Sequence, residues 1–316
     1  MPRPAVRPLK IGILMPLCEQ AHAGRTARWS EFKAMALHAE AAGFDSLWVN
    51  DHLLFRVEGP EGPTRGIWEG WSLLSALAAV TSRVELGTFV ICTSFRNPAL
   101  TAKMADTVDE ISDGRLILGL GAGWHAPEYQ AFGFPYENVV SRFEEALQII
   151  HPLLRTGCVD FHGSYYTAAE CELSPRGPRR SGPPIMIGAR ADRPRALRLT
   201  AEYADYSNMF LKSDNLPPAR AALDAACVKA GRDPATLKRT VSVNIEFPGV
   251  DTPSGEWFRN MAIGLTPPVT GTPEQLAEFF RGLARDGVDH VQIMLEPNSM
   301  KAIDAFRPVL ELLDRG

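Results

Sequence analysis

Three places in the sequence join reactive residue types to the kind of position where chemistry is usually done. Asp51 and His52 directly follow the apolar run Ser46-Leu47-Trp48-Val49. An imidazole just beyond the carboxyl end of a buried strand can exchange a proton near neutral pH. The competing arrangement has Asp51 capping the next helix and His52 bonded to a backbone carbonyl, and residue types alone weigh the two evenly. Gly119-Leu120-Gly121-Ala122-Gly123-Trp124 is a glycine-rich turn beside an aromatic ring. It suits close approach of backbone to a ligand, and equally suits tight packing. Gly188-Ala189-Arg190, with Arg193 and Arg195 after it, combines exposed amides, a helix start and positive charge. That pattern could hold a phosphate or be a solvated basic helix start; arginine at a helix N-terminus opposes the dipole, and a bound anion would account for it.

Several chemistries find little support. The glycine turn departs from a dinucleotide fingerprint, because no acid follows at a strand end about 20 residues on; Glu137 and Glu144 fall in a loop and a helix. The seven histidines show no H-E-x-x-H spacing and no Cys/His cluster repeats, so no metal site is expected. No G-x-S-x-G elbow occurs. The formal charge is -4 with acids and bases interspersed, which argues against a nucleic-acid surface. Five cysteines without C-x-x-C spacing fit a reducing cytoplasm. The apolar run Ile11 to Met15 is strand-sized and far too short to span a membrane.

The elements that must position these residues alternate along the chain. Strands are expected at Ile11 to Met15, Ser46 to Val49, Val84 to Ile91, from Arg115, Pro184 to Ile187, near Tyr206 to Asn208, Thr240 to Phe247, and His290 to Leu295. Helical spacing covers Arg28 to Ala42, Glu69 to Thr81, a stretch from Asn97-Pro98, Val140 to Leu154 with Pro152 at its end or at a kink, Pro194 to Tyr203, Pro218 to Lys229, Thr272 to Ala284, and Ala302 to Leu313. An aromatic loop is expected over Tyr129 to Tyr136 and a small hairpin over Val159 to Tyr166. Eight strands interleaved with helices fit an α/β fold, one (β/α)8 TIM barrel over 1–316 with insertions at 156–184 and 248–271. A doubly wound sheet also accommodates the count.

The chain resembles the bacterial-luciferase-like superfamily of flavin- and F420-dependent oxidoreductases. The resemblance lies in Ala41-Ala42-Gly43-Phe44-Asp45-Ser46-Leu47-Trp48-Val49-Asn50-Asp51-His52, Leu86-Gly87-Thr88, Asn97-Pro98, Asp109 to Arg115, and Gly119 to Trp124 with Glu128. It runs from Ile11 to about Asn208 and more weakly beyond. The resemblance implies a barrel with a ring cofactor in its mouth, over a non-prolyl cis peptide near Phe89-Val90. It implies catalytic roles for His52, Asp51 and Glu128, although Glu128 reads equally as a surface acid. Cofactor contacts are implied at Phe89, Val90, Gly121, Gly123, Trp124, Gly188, Ala189, Arg190 and Arg193, and Trp124 and Tyr129 could line a substrate cavity.

Asn50 to Leu54 and Cys92 to Pro98 look most like members assigned to F420, which implies hydride transfer between the deazaflavin C5 and a small organic substrate. FMN is the alternative, with O2 as oxidant and electrons from NAD(P)H or a separate reductase. A catalytically silent cofactor-binding protein is the alternative of another class. The family also implies a homodimer. Gly188-Ala189-Arg190-Ala191 departs from the family's usual Gly-Gly-x-Gly, with less backbone freedom and more positive charge.

Overall fold

The computed structural model describes residues 7–19, 25–56, 63–188, 192–210, 216–247, 250 and 268–315. Eight parallel strands close on one another: β1 (Lys10–Leu14), β2 (Ser46–Val49), β3 (Glu85–Thr88), β5 (Leu116–Gly121), β8 (Ile185–Gly188), β9 (Tyr206–Phe210), β10 (Lys238–Glu246) and β11 (His290–Glu296). Their order is β3-β2-β1-β11-β10-β9-β8-β5, and pairing of β3 with β5 completes the ring. This is a (β/α)8 barrel, not an open doubly wound sheet. Because all eight strands run the same way, every carboxyl end opens at one mouth.

Helices α1 (Trp29–Ala42), α2 (Gly70–Val80), α3 (Pro98–Ile111), α5 (Val139–Thr156), α6 (Pro194–Tyr203), α7 (Leu216–Lys229), α8 (Pro273–Arg285) and α9 (Met300–Asp314) pack around it. Local signals set their ends. Asn97 accepts from the amides of Ala99 and Leu100 at 2.9 and 3.2 Å with Pro98 following, and Thr272 with Gln275 forms a capping box. Between strands and helices lies a continuous apolar core that includes Phe32, Phe44, Leu74, Leu147, Phe280 and Phe306.

The barrel interior holds a second cluster, Leu14, Trp48, Ile117, Met186, Tyr206 and Met294, with Phe89 and Val90 packed against it. Trp48 lies across this interior, fully buried, in space that a side chain at Gly87 would fill: a Cβ there would collide with the indole ring. Below it, Ser46 Oγ accepts from Trp48 Nε1 at 2.7 Å and lies 2.7 Å from His290 Nε2.

Four expectations are corrected. The third strand stops at Thr88 and resumes as the two-residue β4 (Ile91–Cys92), which pairs with β5, and the Phe89-Val90 peptide between them is cis. The aromatic loop contains a helix, α4 (Ala126–Phe132), ended by Gly133 at φ 74°. It is too short to be self-supporting and is held by burial of Glu128 and Tyr129. Helix α5 runs through Pro152 to Thr156, its last turn anchored by buried Leu153 and Leu154. The hairpin is larger than expected, pairing β6 (Cys158–His162) with β7 (Thr167–Glu172). The returning tract is strapped to α3 by Arg176 on Asp106 (2.8 Å), Arg179 on Asp109 and Lys103 on the Ser174 carbonyl (2.6 Å). Most of the expected 248–271 insertion lies outside the described residues.

Candidate active site

Of the residues beyond β2, His52 and Leu53 share one anchor and Asp51 has another. His52 Nδ1 lies 2.9 Å from Glu128 Oε1, and the Leu53 amide donates to Glu128 Oε2 at 2.8 Å. Glu128 sits in the first turn of α4 and is 2% exposed, so it is no surface acid. Its carboxylate favours the tautomer with the proton on Nδ1 of His52 and leaves Nε2 with no hydrogen-bond partner among the described residues. Phe55 and Trp124 flank the imidazole at ring separations of 4.3 and 5.7 Å. His125, 6.3 Å away, is held neutral by burial, which lowers its pKa, and accepts the Arg56 amide at Nε2.

Asp51 does not cap the helix that follows it. Its buried carboxylate takes a two-pronged grip from Arg96, Nη1 to Oδ2 at 2.7 Å and Nη2 to Oδ1 at 2.9 Å, and the Cys92 amide donates to Oδ2 at 2.9 Å. Arg96 Nη2 also binds Glu69, whose carboxylate caps α2 through the amides of Trp71 (3.0 Å) and Ser72 (2.7 Å). Burial opposes the charge on Arg96, but the bonds and charges of Asp51 and Glu69 outweigh it and hold the guanidinium above its usual range.

Between those anchors, at the top of strand three, Phe89 and Val90 are joined by the cis peptide and stand half-buried over the apolar interior cluster. The Phe89 amide donates to the Val49 carbonyl at 2.7 Å. The glycines of the next turn serve this bulge. A Cβ at Gly121 would stand 2.7 Å from Val90 Cγ2, and one at Gly123, which has φ 80°, would run into Tyr129 Oη and Cys92 Sγ. Tyr129 is fully buried, donating to the Ala122 carbonyl at 2.8 Å with Cys92 Sγ 2.9 Å from its hydroxyl, and so does not line a cavity as expected. Burial pushes the Cys92 thiol up to about 12, which removes it as a nucleophile. Trp124, 46% exposed, stands at the rim.

The fifth strand ends at the same mouth, Ile187 paired with Leu120. Gly188 is exposed, with open space where a side chain would be. Ala189 and Arg190 lie outside the described residues. Arg193 is the exposed cap residue of α6, 3.7 Å from Asp192. Arg195, expected to add charge to a phosphate site, is instead committed to Glu144 (2.6 Å) and Ser141 (3.1 Å).

Sequence reasoning passed over Arg96 and Glu69 as site residues, along with Phe55 and His125. Glu69 carried a helix-capping signal; nothing local marked Arg96, whose partners are 45 and 27 positions away in sequence. Among the described residues no group of three or more His, Cys, Asp or Glu could hold a metal ion, and no helix is long and apolar enough to cross a membrane.

The residues at the mouth fit a planar ring cofactor. Phe89 and Val90 present a half-exposed apolar ledge, the floor below is Leu14, Ile117, Met186 and Met294, and the open backbone at Gly188 precedes a helix N-terminus.

Residues 9–246 match the family described as luciferase-like monooxygenase, and the chain belongs to it. The pyrimidine monooxygenase RutA of Cronobacter sakazakii is 34% identical over 214 residues, covering 64% of this chain and 60% of that protein. The protein of the same name from Cronobacter turicensis is 32% identical over 244 residues, covering 71% and 62%. The chain thus spans less than two thirds of the length of these curated relatives. Among solved structures, an F420-dependent secondary alcohol dehydrogenase in complex with an F420-acetone adduct superposes with a TM-score of 0.79 at 19% identity, over 96% of this chain and 99% of that one. The monooxygenase RslO1 from Streptomyces bottropensis gives 0.73 at 19% identity, over 96% and 98%. These two share the fold.

Proposed function

We propose that this chain is an oxidoreductase that uses reduced FMN and O2 to oxygenate a small uncharged organic molecule, with His52 as its proton-handling group. The observation that carries the reading is the His52–Glu128 pair opening beside the Phe89–Val90 ledge. The identity to pyrimidine monooxygenases supports FMN over F420, reversing the preference drawn from the sequence. A flavin bound here supplies the electron pair and the reaction with O2. The residues of the chain do the rest. Phe89, Val90 and the floor below would hold the ring, and the open backbone at Gly188, with Ala189, Arg190 and Arg193, would meet the phosphate. Glu128 keeps the Nδ1 proton on His52 and steadies the imidazolium when Nε2 takes a proton. Phe55 and Trp124 flank the imidazole with apolar rings. Asp51, with both oxygens engaged, takes no part in proton exchange. Reduced flavin would come from a separate reductase using NAD(P)H.

Hydride transfer with F420 is the second reading, favoured by the exposed charge of Arg193 at the start of α6, which suits a longer anionic tail. Anaerobic titration with reduced FMN and with F420, followed by each cofactor's visible absorption, separates the two. Tight FMN binding with O2-dependent product formation supports the proposal. Binding of F420 alone replaces it with the second reading, and failure of both cofactors to bind overturns the two together.

A further inference from the structure

We infer that Arg96 is a positioning residue for His52, acting through Asp51 by locking the exit of the second barrel strand to the bulge at the top of the third. Three observations converge on it. First, Asp51 is next to His52 in the chain, its side chain is wholly buried, and each of its oxygens receives a guanidinium nitrogen of Arg96. A bidentate arginine–carboxylate pair constrains direction as well as distance, which a lysine would not do. Second, Asp51 Oδ2 also receives the Cys92 amide, two residues past the Phe89-Val90 peptide, while the Phe89 amide is tied to the Val49 carbonyl. The bulge is therefore pinned on both sides to the strand exit that carries His52. Third, Arg96 is itself held from the far side by Glu69 at the start of α2, so the guanidinium is braced between two carboxylates.

The loop 51–53 is thereby gripped from two directions: Arg96 and the Cys92 amide hold Asp51, and Glu128 holds His52 and Leu53. If the first grip is released, the Glu128 bond alone cannot fix the imidazole relative to the Phe89–Val90 ledge, since Glu128 belongs to α4 and not to the bulge. Site groups lose effect steeply when displaced by about an ångström, so a residue that never touches substrate can still govern turnover.

The catalytic consequence rests on the function proposed above, but the positional claim can be read without it. In the cofactor-free protein the Nδ1 proton of His52, hydrogen-bonded to Glu128 and so deshielded and protected from exchange, should give a downfield proton resonance, assigned by its loss in His52→Ala. Arg96→Met should broaden or shift that resonance while circular dichroism shows an intact fold, and Arg96→Lys should move it less. Glu69→Gln, which leaves the Asp51 grip in place, should move it least. Where Arg96→Met does not fold, Arg96→Lys and Asp51→Asn carry the test. With turnover in hand, Arg96→Lys should lower kcat about tenfold in the parent and have no further effect in the His52→Ala background, the non-additivity expected of a residue acting through another. Folded Arg96 and Asp51 variants that keep the parent His52 resonance, or equal losses of kcat in both backgrounds, would overturn the inference. Absence of turnover in the parent would instead count against the proposed function and leave the resonance result standing.

Discussion

His52 and His290 belong to opposite ends of one barrel. His52 lies just beyond the carboxyl end of β2, 15% exposed at its side chain, with a carboxylate on one nitrogen and, among the described residues, no hydrogen-bond partner on the other. His290 opens β11 at the floor, wholly buried, with the Ser46 hydroxyl as its neighbour. Burial, with the nearby charges of Lys10 and Lys238, pushes the His290 pKa down to about 3, so this imidazole stays neutral. Residue type is the same at both ends; a carboxylate partner and partial exposure set His52 apart from the sealed His290.

The sharpest way to break this contrast is to exchange the effects. His52→Ala is expected to lower turnover by roughly 10² to 10⁴-fold with little change in thermal midpoint, measured side by side by steady-state assay and calorimetry. A midpoint loss that matches the activity loss would make His52 structural like its counterpart. At the floor the expected loss is in stability. Gly87→Ala drives a methyl into the Trp48 ring and should cost about 1–3 kcal/mol or more in urea unfolding. Ser46→Ala removes the acceptor of Trp48 Nε1 and the neighbour of His290 Nε2, for about 1–3 kcal/mol.

A further effect concerns pH. His290 has a folded pKa below its ordinary 6.5, so the unfolded chain binds the proton more readily. Its contribution is fully present above 6.5 and is lost as pH falls from there toward about 3, at up to about 1.4 kcal/mol per pH unit. His290→Gln should therefore unfold with a shallower acid dependence than the parent between pH 6 and 4. An unchanged slope would mean that His290 is not desolvated.

Much of the barrel was legible because its signals are local. Apolar runs mark buried strands, Asn97-Pro98 and Thr272 with Gln275 mark helix starts, and their structural counterparts lie within a few residues of those positions. The cis peptide at Phe89-Val90 was anticipated only by resemblance, since its residue types carry no local sign of it. The candidate site was legible in part. His52 and Glu128 were both named, yet nothing in the sequence shows that residues 76 positions apart share a hydrogen bond. Helix α4 was missed because seven residues form a helix only when the surrounding structure buries them. Arg195 was misread as free charge because its partner, Glu144, sits 51 positions earlier on another helix.

By itself, then, the sequence determined the alternation of strands and helices and which side chains stand at strand ends, because these depend on periodicity and on neighbours a few residues away, while the family came from the resemblance of its motifs. Tertiary structure decided what each of those side chains does. Closure of the ring brought Glu128 to His52, gave Asp51 to Arg96 and left His290 with a hydroxyl, and proton affinity and reach follow from such contacts across the barrel.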